Sequence, residues 1–104
     1  MASRIRELPE LNPVIHGRLR LALLSLLTGV EDAEFSWLRE HTASSDGNLG
    51  AQLSRLEEAG YVAAKRRFVG RKPQTRYHIT EAGRKALREY VHALKLLLGA
   101  AIEV

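Results

Sequence analysis

Ser44-Ser-Asp-Gly-Asn48-Leu-Gly-Ala-Gln52-Leu-Ser-Arg55-Leu-Glu-Glu-Ala-Gly60-Tyr-Val62 runs straight on into Ala63-Ala-Lys65-Arg-Arg-Phe68-Val-Gly70-Arg-Lys-Pro73-Gln-Thr75-Arg-Tyr77-His-Ile79-Thr80. The first half has the marks of a capped helix. Ser44, Ser45 and Asp46 are each acceptable N-caps, with Ser45 or Asp46 favoured. Leu49, Leu53 and Leu56 recur at i, i+4 and i+7, so they share one buried face. Gly60 is placed to end the helix, which spans about Asp46 to Ala59. The opposite face carries Gly47, Asn48, Ala51, Ser54 and Arg55, with Gln52 at its edge. A merely solvated helix would more often carry Glu/Lys pairs there. Small and amide-bearing residues suit close approach to base edges, which Asn, Gln and Arg can meet with two hydrogen bonds at once.

The second half reads as a hairpin, with strands at Tyr61 to Phe68 and Thr75 to Ile79 and with Gly70 and Pro73 punctuating the loop. Val62, Phe68, Tyr77 and Ile79 are the expected inward positions. No acid occurs from Ala59 to Thr80, while Lys65, Arg66, Arg67, Arg71, Lys72 and Arg76 all fall inside that window. Most solvated turns mix signs, so this stripe is read as the footprint of a phosphate binder. Arg71 and Lys72, at the tip, are placed to reach phosphates or a minor groove. Arg66, Arg67 and Arg76 are expected to touch the backbone or steer approach.

Charge over the whole chain agrees. The 104 residues carry a formal charge of +4, while Glu31, Asp32, Glu34, Glu40, Asp46, Glu57 and Glu58 crowd the middle. The length fits one domain with a small core, so burial against a partner would matter to stability. No run of about 18 apolar residues is present to cross a membrane, and no apolar stretch follows the first charges as in a secretory signal. A cytoplasmic location is the default. The absence of cysteine excludes disulfides and thiolate metal sites.

Outward from the central stretch, residues 1–11 form an arm without an assigned role. Asn12-Pro13 marks a helix start, Asn supplying the cap and Pro the first turn, and the helix runs to about Thr28. Ile15, Leu19, Ala22, Leu23 and Leu26 make its stripe, and Leu21, Leu24 and Leu27 widen it. Arg18 and Arg20 take the remaining polar surface. Glu34-Phe35-Ser36 suggests a short strand, with Ser36 capping a second helix to about His41 or Thr42. Trp37 is expected half-buried. Thr80 caps a last helix, Glu81 complements its dipole, and it ends near Leu98. Leu87, Tyr90, Val91, Leu94, Leu97 and Leu98 make a stripe too broad for a lone small domain. With Ile15 and Leu19 of the first helix, they are the expected interface of a two-fold dimer.

Catalytic and metal chemistry is not indicated. His16, His41, His78 and His92 lack helix-ligand spacing and acidic companions. There is no phosphate loop or nucleophile-base motif. Neither a cofactor nor an enzyme activity is expected.

Two blocks carry a family resemblance. Leu53-Ser-Arg-Leu-Glu-Glu-Ala-Gly-Tyr-Val62 and Thr75-Arg-Tyr-His-Ile-Thr-Glu-Ala-Gly83, with Asn12-Pro-Val-Ile-His16 and the leucines after it, resemble the MarR/ArsR-type winged-helix regulators. The chain is most similar to the small winged-helix DNA-binding group among them, over residues 10–98. The resemblance implies an α+β, mostly α fold: a winged helix-turn-helix with a two-stranded wing and a C-terminal dimerisation helix over 80–98. It also implies a homodimeric regulator of double-stranded DNA, with the helix at 46–59 in the major groove and the wing, Val69 to Gln74, at the flanking minor groove. Groove-facing positions carried over are Ser45, Asn48, Gln52 and Arg55, with neighbouring Ser44 and Ala51 in the same contact set and Arg71 and Lys72 on the wing. Many relatives have His where this chain has Gln52, which alters the expected base preference. MarR-like proteins often take small-molecule effectors, but the residues here do not indicate one. A competing reading keeps the fold and makes the hairpin a docking module for an acidic protein; the small polar helix face argues against it.

Overall fold

Local sequence signals set the element boundaries, and residues far apart in the chain fix how the elements pack. The fold comes from a computed structural model, which describes residues 9–102. Residues 1–8 of the expected arm lie outside it. The order is helix α1 (Arg18–Leu27), strand β1 (Ala33–Glu34), helix α2 (Phe35–Thr42), helix α3 (Asp46–Glu58), strands β2 (Val62–Val69) and β3 (Lys72–Ile79), and helix α4 (Glu81–Ile102). The architecture is the expected mostly helical winged helix-turn-helix, with one addition. Ala33–Glu34 pairs with Tyr77 and Arg76, so the two-stranded wing becomes a three-stranded antiparallel sheet in the order β1-β3-β2.

The core is a leucine cluster. Ile15, Leu23, Leu24, Leu27, Leu38, Leu49, Leu53 and Leu56 are fully buried, and Val62, Tyr77 and Ile79 close it from the sheet. The register explains the sheet's part. Val62 faces Ile79 and Ala64 faces Tyr77 across the strands, and this set covers the core. The same face continues through Arg66–Thr75 to Phe68–Pro73, by which point the hairpin has run past the core. Phe68 is therefore 73% exposed, not inward as its alternation suggested. The loop is also tighter than expected. Gly70 and Arg71 form the turn between the paired Val69 and Lys72, and Pro73 belongs to β3. Gly70 has φ +65° and Arg71 does not, the pattern of a II′ hairpin turn with glycine first.

The N-terminal helix is shorter than its periodicity implied. Asn12 Oδ1 does accept from the Val14 and Ile15 amides, at 2.9 and 3.4 Å, but it caps a single turn. The chain then extends through Gly17, and α1 begins at Arg18. Asn12 also donates from Nδ2 to the Tyr61 hydroxyl at 2.9 Å, which ties this first turn to the end of α3. In α2 the N-cap is Glu34, and Ser36 lies inside the helix, its hydroxyl donating to the Glu34 carboxylate at 3.1 Å.

Thr80 caps α4 as its sequence position predicted, accepting from the Gly83 amide at 3.0 Å and donating to the Gly60 carbonyl at 2.6 Å. Gly83 is buried so closely against Tyr61 that a Cβ there would overlap the Tyr61 carbonyl oxygen. Beyond this junction α4 leaves the body. The Cα radius of gyration is 16.3 Å, against about 13 Å for a compact chain of this length. Ala86 and Tyr90 are its buried positions. Tyr90 and Ile15, both expected at a dimer interface, are instead buried in the chain's own core. His16 Nδ1 lies 2.9 Å from the Tyr90 hydroxyl, so that contact is intramolecular too. Leu19, Leu87, Leu94 and Leu97 are half-buried, whereas Val91, Leu96 and Leu98 are exposed.

Candidate nucleic-acid interface

The turn before α3 is built by short-range bonds. Ala43 takes the left-handed conformation, φ 50°, which ends α2 after Thr42 and turns the chain within three residues. Thr42 Oγ1 donates to the Leu38 carbonyl at 2.7 Å and lies 2.7 Å from Ser44 Oγ, so both hydroxyls belong to the turn. Ser45 is the N-cap of α3, its Oγ accepting from the Asn48 amide at 3.2 Å. Asp46 pairs with Arg39 at 2.9 Å, which neutralises the one acid in the first turns of α3. That pairing, chiefly the hydrogen bond itself, holds the Arg39 guanidinium above its usual pKa. At the far end the Gly60 and Tyr61 amides return to the Glu57 and Leu56 carbonyls, at 2.9 and 3.0 Å, with Gly60 at φ +80°. This is the Schellman closure that a glycine at C′ makes available.

Between these ends α3 buries Leu49, Leu53 and Leu56 and exposes Gly47, Asn48, Ala51, Ser54 and Arg55. The structure therefore brings together Asn48, Ala51 and Arg55 on one solvent-facing surface, with Ser44 and Ser45 at its leading edge. Gln52 is half-buried and held on both sides. Its Oε1 accepts from Arg20 at 2.5 Å, and its Nε2 donates to Asn48 Oδ1 at 3.2 Å. Arg20 is fixed in turn by the Val14 and Pro13 carbonyls. Its burial, and then the charge of Arg55, lower its pKa from the usual arginine value, yet a guanidinium stays charged in proteins. A cleft of about 630 Å³ opens beside this group, lined by Arg18, Arg20, His41, Ser44, Asn48 and Gln52 among others.

The hairpin cations separate into two sets. Arg76, expected to touch the backbone or steer approach, is engaged within the chain: it pairs with Asp32 at 2.5 Å and Glu34 at 3.4 Å across the β1 edge. Arg66 lies 3.5 Å from Glu57. Arg67 bonds Gln74 at 3.1 Å, and Gln74 bonds Glu34 in its turn. Lys65, Arg71 and Lys72 are exposed and have no ion pair or side-chain hydrogen bond among the described residues. The sequence separates Arg71 and Lys72 at the tip from the other bases but carries no sign of the partners that engage Arg66, Arg67 and Arg76. It also leaves Arg20 as mere polar surface, because its partner Gln52 lies 32 residues away.

A polar, cap-led helix face stands beside a short basic hairpin, both mounted on a leucine core, and the family model "winged helix DNA-binding domain" matches residues 19–98. The chain belongs to that family. Similar proteins agree in extent. A protein of Methanocaldococcus jannaschii, itself uncharacterised, is 35% identical over 81 residues, covering 78% of this chain and 88% of its own. The solved structure of a transcriptional regulator homologue from Pyrococcus horikoshii superposes with a TM-score of 0.81 at 21% identity, covering 96% of this chain and 98% of that one. A putative transcriptional regulator from Thermoplasma acidophilum gives 0.68 at 25% identity, over 83% and 88%. In this winged helix α2 and α3 form the helix-turn-helix, and β2-β3 forms the wing. Among the described residues no helix is long and apolar enough to cross a membrane.

Proposed function

We propose that the chain is a sequence-specific transcriptional regulator that binds double-stranded DNA as a homodimer. The observation that carries this is the exposed face of α3, where Asn48, Ala51, Ser54 and Arg55 offer small, hydrogen-bonding surface with no large apolar or unpaired acidic side chain ahead of Glu58. Such a face fits a major groove, whose base edges are read by amides and guanidinium groups. Arg71 and Lys72, at the hairpin tip, would hold phosphates at the flanking minor groove, with Lys65 and Arg67 behind them.

Dimerisation is supported by α4. Leu87, Val91, Leu94 and Leu98 follow one another at spacings of four, three and four, the repeat of a coiled-coil seam. Val91 is 40% and Leu98 46% exposed within one chain. Leu19 and Leu97 would border that seam, while Ile15 and Tyr90 support it from the core. Two copies would set their α3 helices about 34 Å apart, one turn of duplex.

Selection of bound duplexes from a random pool tests both parts. The expected result is enrichment of a palindrome whose half-sites are about 10 base pairs apart. A single non-repeated motif would remove the dimer and keep the DNA function. A second reading, docking of an acidic protein, is favoured by one observation: Phe68 and Val69 are exposed beside the wing cations. A pool that enriches no duplex would turn the argument to that reading.

A further inference from the structure

The hydrogen bonds that hold Gln52 also decide what α3 can offer to a base. A guanidinium has donors only, so the Gln52 atom 2.5 Å from Arg20 Nη1 has to be its oxygen. The Gln52 NH₂ group is thereby turned towards Asn48, where it meets Oδ1 at 3.2 Å. Asn48 is left with its own NH₂ group facing solvent. An arginine outside the recognition helix thus removes the ordinary ambiguity of two amides in succession.

Resting on the DNA-binding reading above, we propose that Arg20 is a specificity-determining residue that, through Gln52, fixes the Asn48 amide with its NH₂ group leading and so directs this position to guanine. Asn or Gln reads adenine by donating to N7 while accepting from the N6 amine, which takes both ends of one amide. Here the oxygens of Gln52 and Asn48 are both directed at donors within the protein. With its oxygen engaged by Gln52, Asn48 leads with its NH₂ group, and exposed Arg55 adds a second donor to the face it shares with Ser54. Guanine presents two acceptors, N7 and O6, on its major-groove edge and matches this surface, whereas adenine presents one acceptor and one donor. Arg20 acts here as a positioning residue, through Gln52 and Asn48, without touching the base.

The test is the same duplex selection run in parallel on the full chain and three variants. Wild type is expected to enrich guanine at the positions beneath Asn48 and Arg55. Arg20→Met removes the donor, frees both amides to rotate, and should shift the guanine-over-adenine ratio towards adenine by about tenfold at one position. Arg20→Lys keeps a donor for Gln52 and should keep guanine. Arg20 also binds two backbone carbonyls, so Gln52→Met, which frees Asn48 without disturbing those bonds, decides the matter if Arg20→Met does not fold. Wild type enriching adenine there, or an unchanged guanine preference in Gln52→Met, overturns the inference and leaves DNA binding standing. Wild type enriching no duplex overturns both.

Discussion

Replacing Arg71 and Lys72 together by alanine should change how DNA affinity depends on salt far more than it changes stability. Both side chains are exposed at the hairpin tip and engage nothing else among the described residues. Their loss should alter folding stability by no more than about 0.5 kcal/mol, as for ordinary surface substitutions. Each phosphate neutralised adds about 0.9 to the slope of log affinity against log salt. Two side chains in each of two protomers make four contacts, so the slope should become shallower by about 3.6. Between about 50 and 200 mM salt this amounts to roughly a hundredfold difference in how much affinity is lost. Fluorescence anisotropy on a selected duplex, titrated at several salt concentrations, measures that slope. Arg76→Ala is the matched control. Its guanidinium is bound to Asp32 and Glu34, so removing it should leave the slope unchanged. Equal slopes for the double variant and wild type, or an equal drop in Arg76→Ala, would refute the division of the wing cations.

Three further outcomes are expected. Gly83→Ala puts a Cβ against the Tyr61 carbonyl and should cost about 1–3 kcal/mol as overpacking, read as a fall in Tm of about 4–8 °C per kcal/mol; an unchanged Tm would mean that the α3–α4 junction is looser than described. Ser45→Ala removes the acceptor of the Asn48 amide and should cost about 1 kcal/mol in denaturant unfolding, with Ser45→Asp restoring most of it. Val91→Glu with Leu98→Glu places charge in the α4 seam and should yield monomers in sedimentation equilibrium at unchanged helix content, since neither side chain is buried within one chain; a dimer surviving both would put the interface elsewhere.

How much of this was legible in the sequence depends on how far apart the partners lie. Helix α3 was readable to within a residue because its determinants are local: Ser45 against Asn48, the leucine spacing, and Gly60 against Glu57. Thr80 and Glu81 marked the start of α4 for the same reason, Thr80 capping the Gly83 amide three residues on. Long-range partners left no trace. The first turn at Asn12 is tied to Tyr61, 49 residues on. Arg76 looked like a phosphate ligand until Asp32, 44 residues earlier, came beside it. Strand alternation put Phe68 on the face of Val62 but could not tell that the core stops before the hairpin does, so the inward position expected for it is exposed. The apolar stripe of α4 likewise could not say which of its residues the chain itself would cover, and Tyr90 is the case in point.

The sheet order leaves β2 at an edge, with one row of backbone groups unpaired along eight residues. An open strand that ends in exposed Phe68 and Val69 is a template on which another copy of itself could add. Lys65, Arg66 and Arg67 occupy the middle of that edge. A second β2 laid against it would bring cation onto cation, so the strand repels its own kind. Charge that in the proposed function would draw this hairpin to a polyanion therefore also keeps it from polymerising. In the proposed function Lys65 and Arg67 would also stand behind the DNA contacts, so solubility and affinity could not be tuned apart at those two positions.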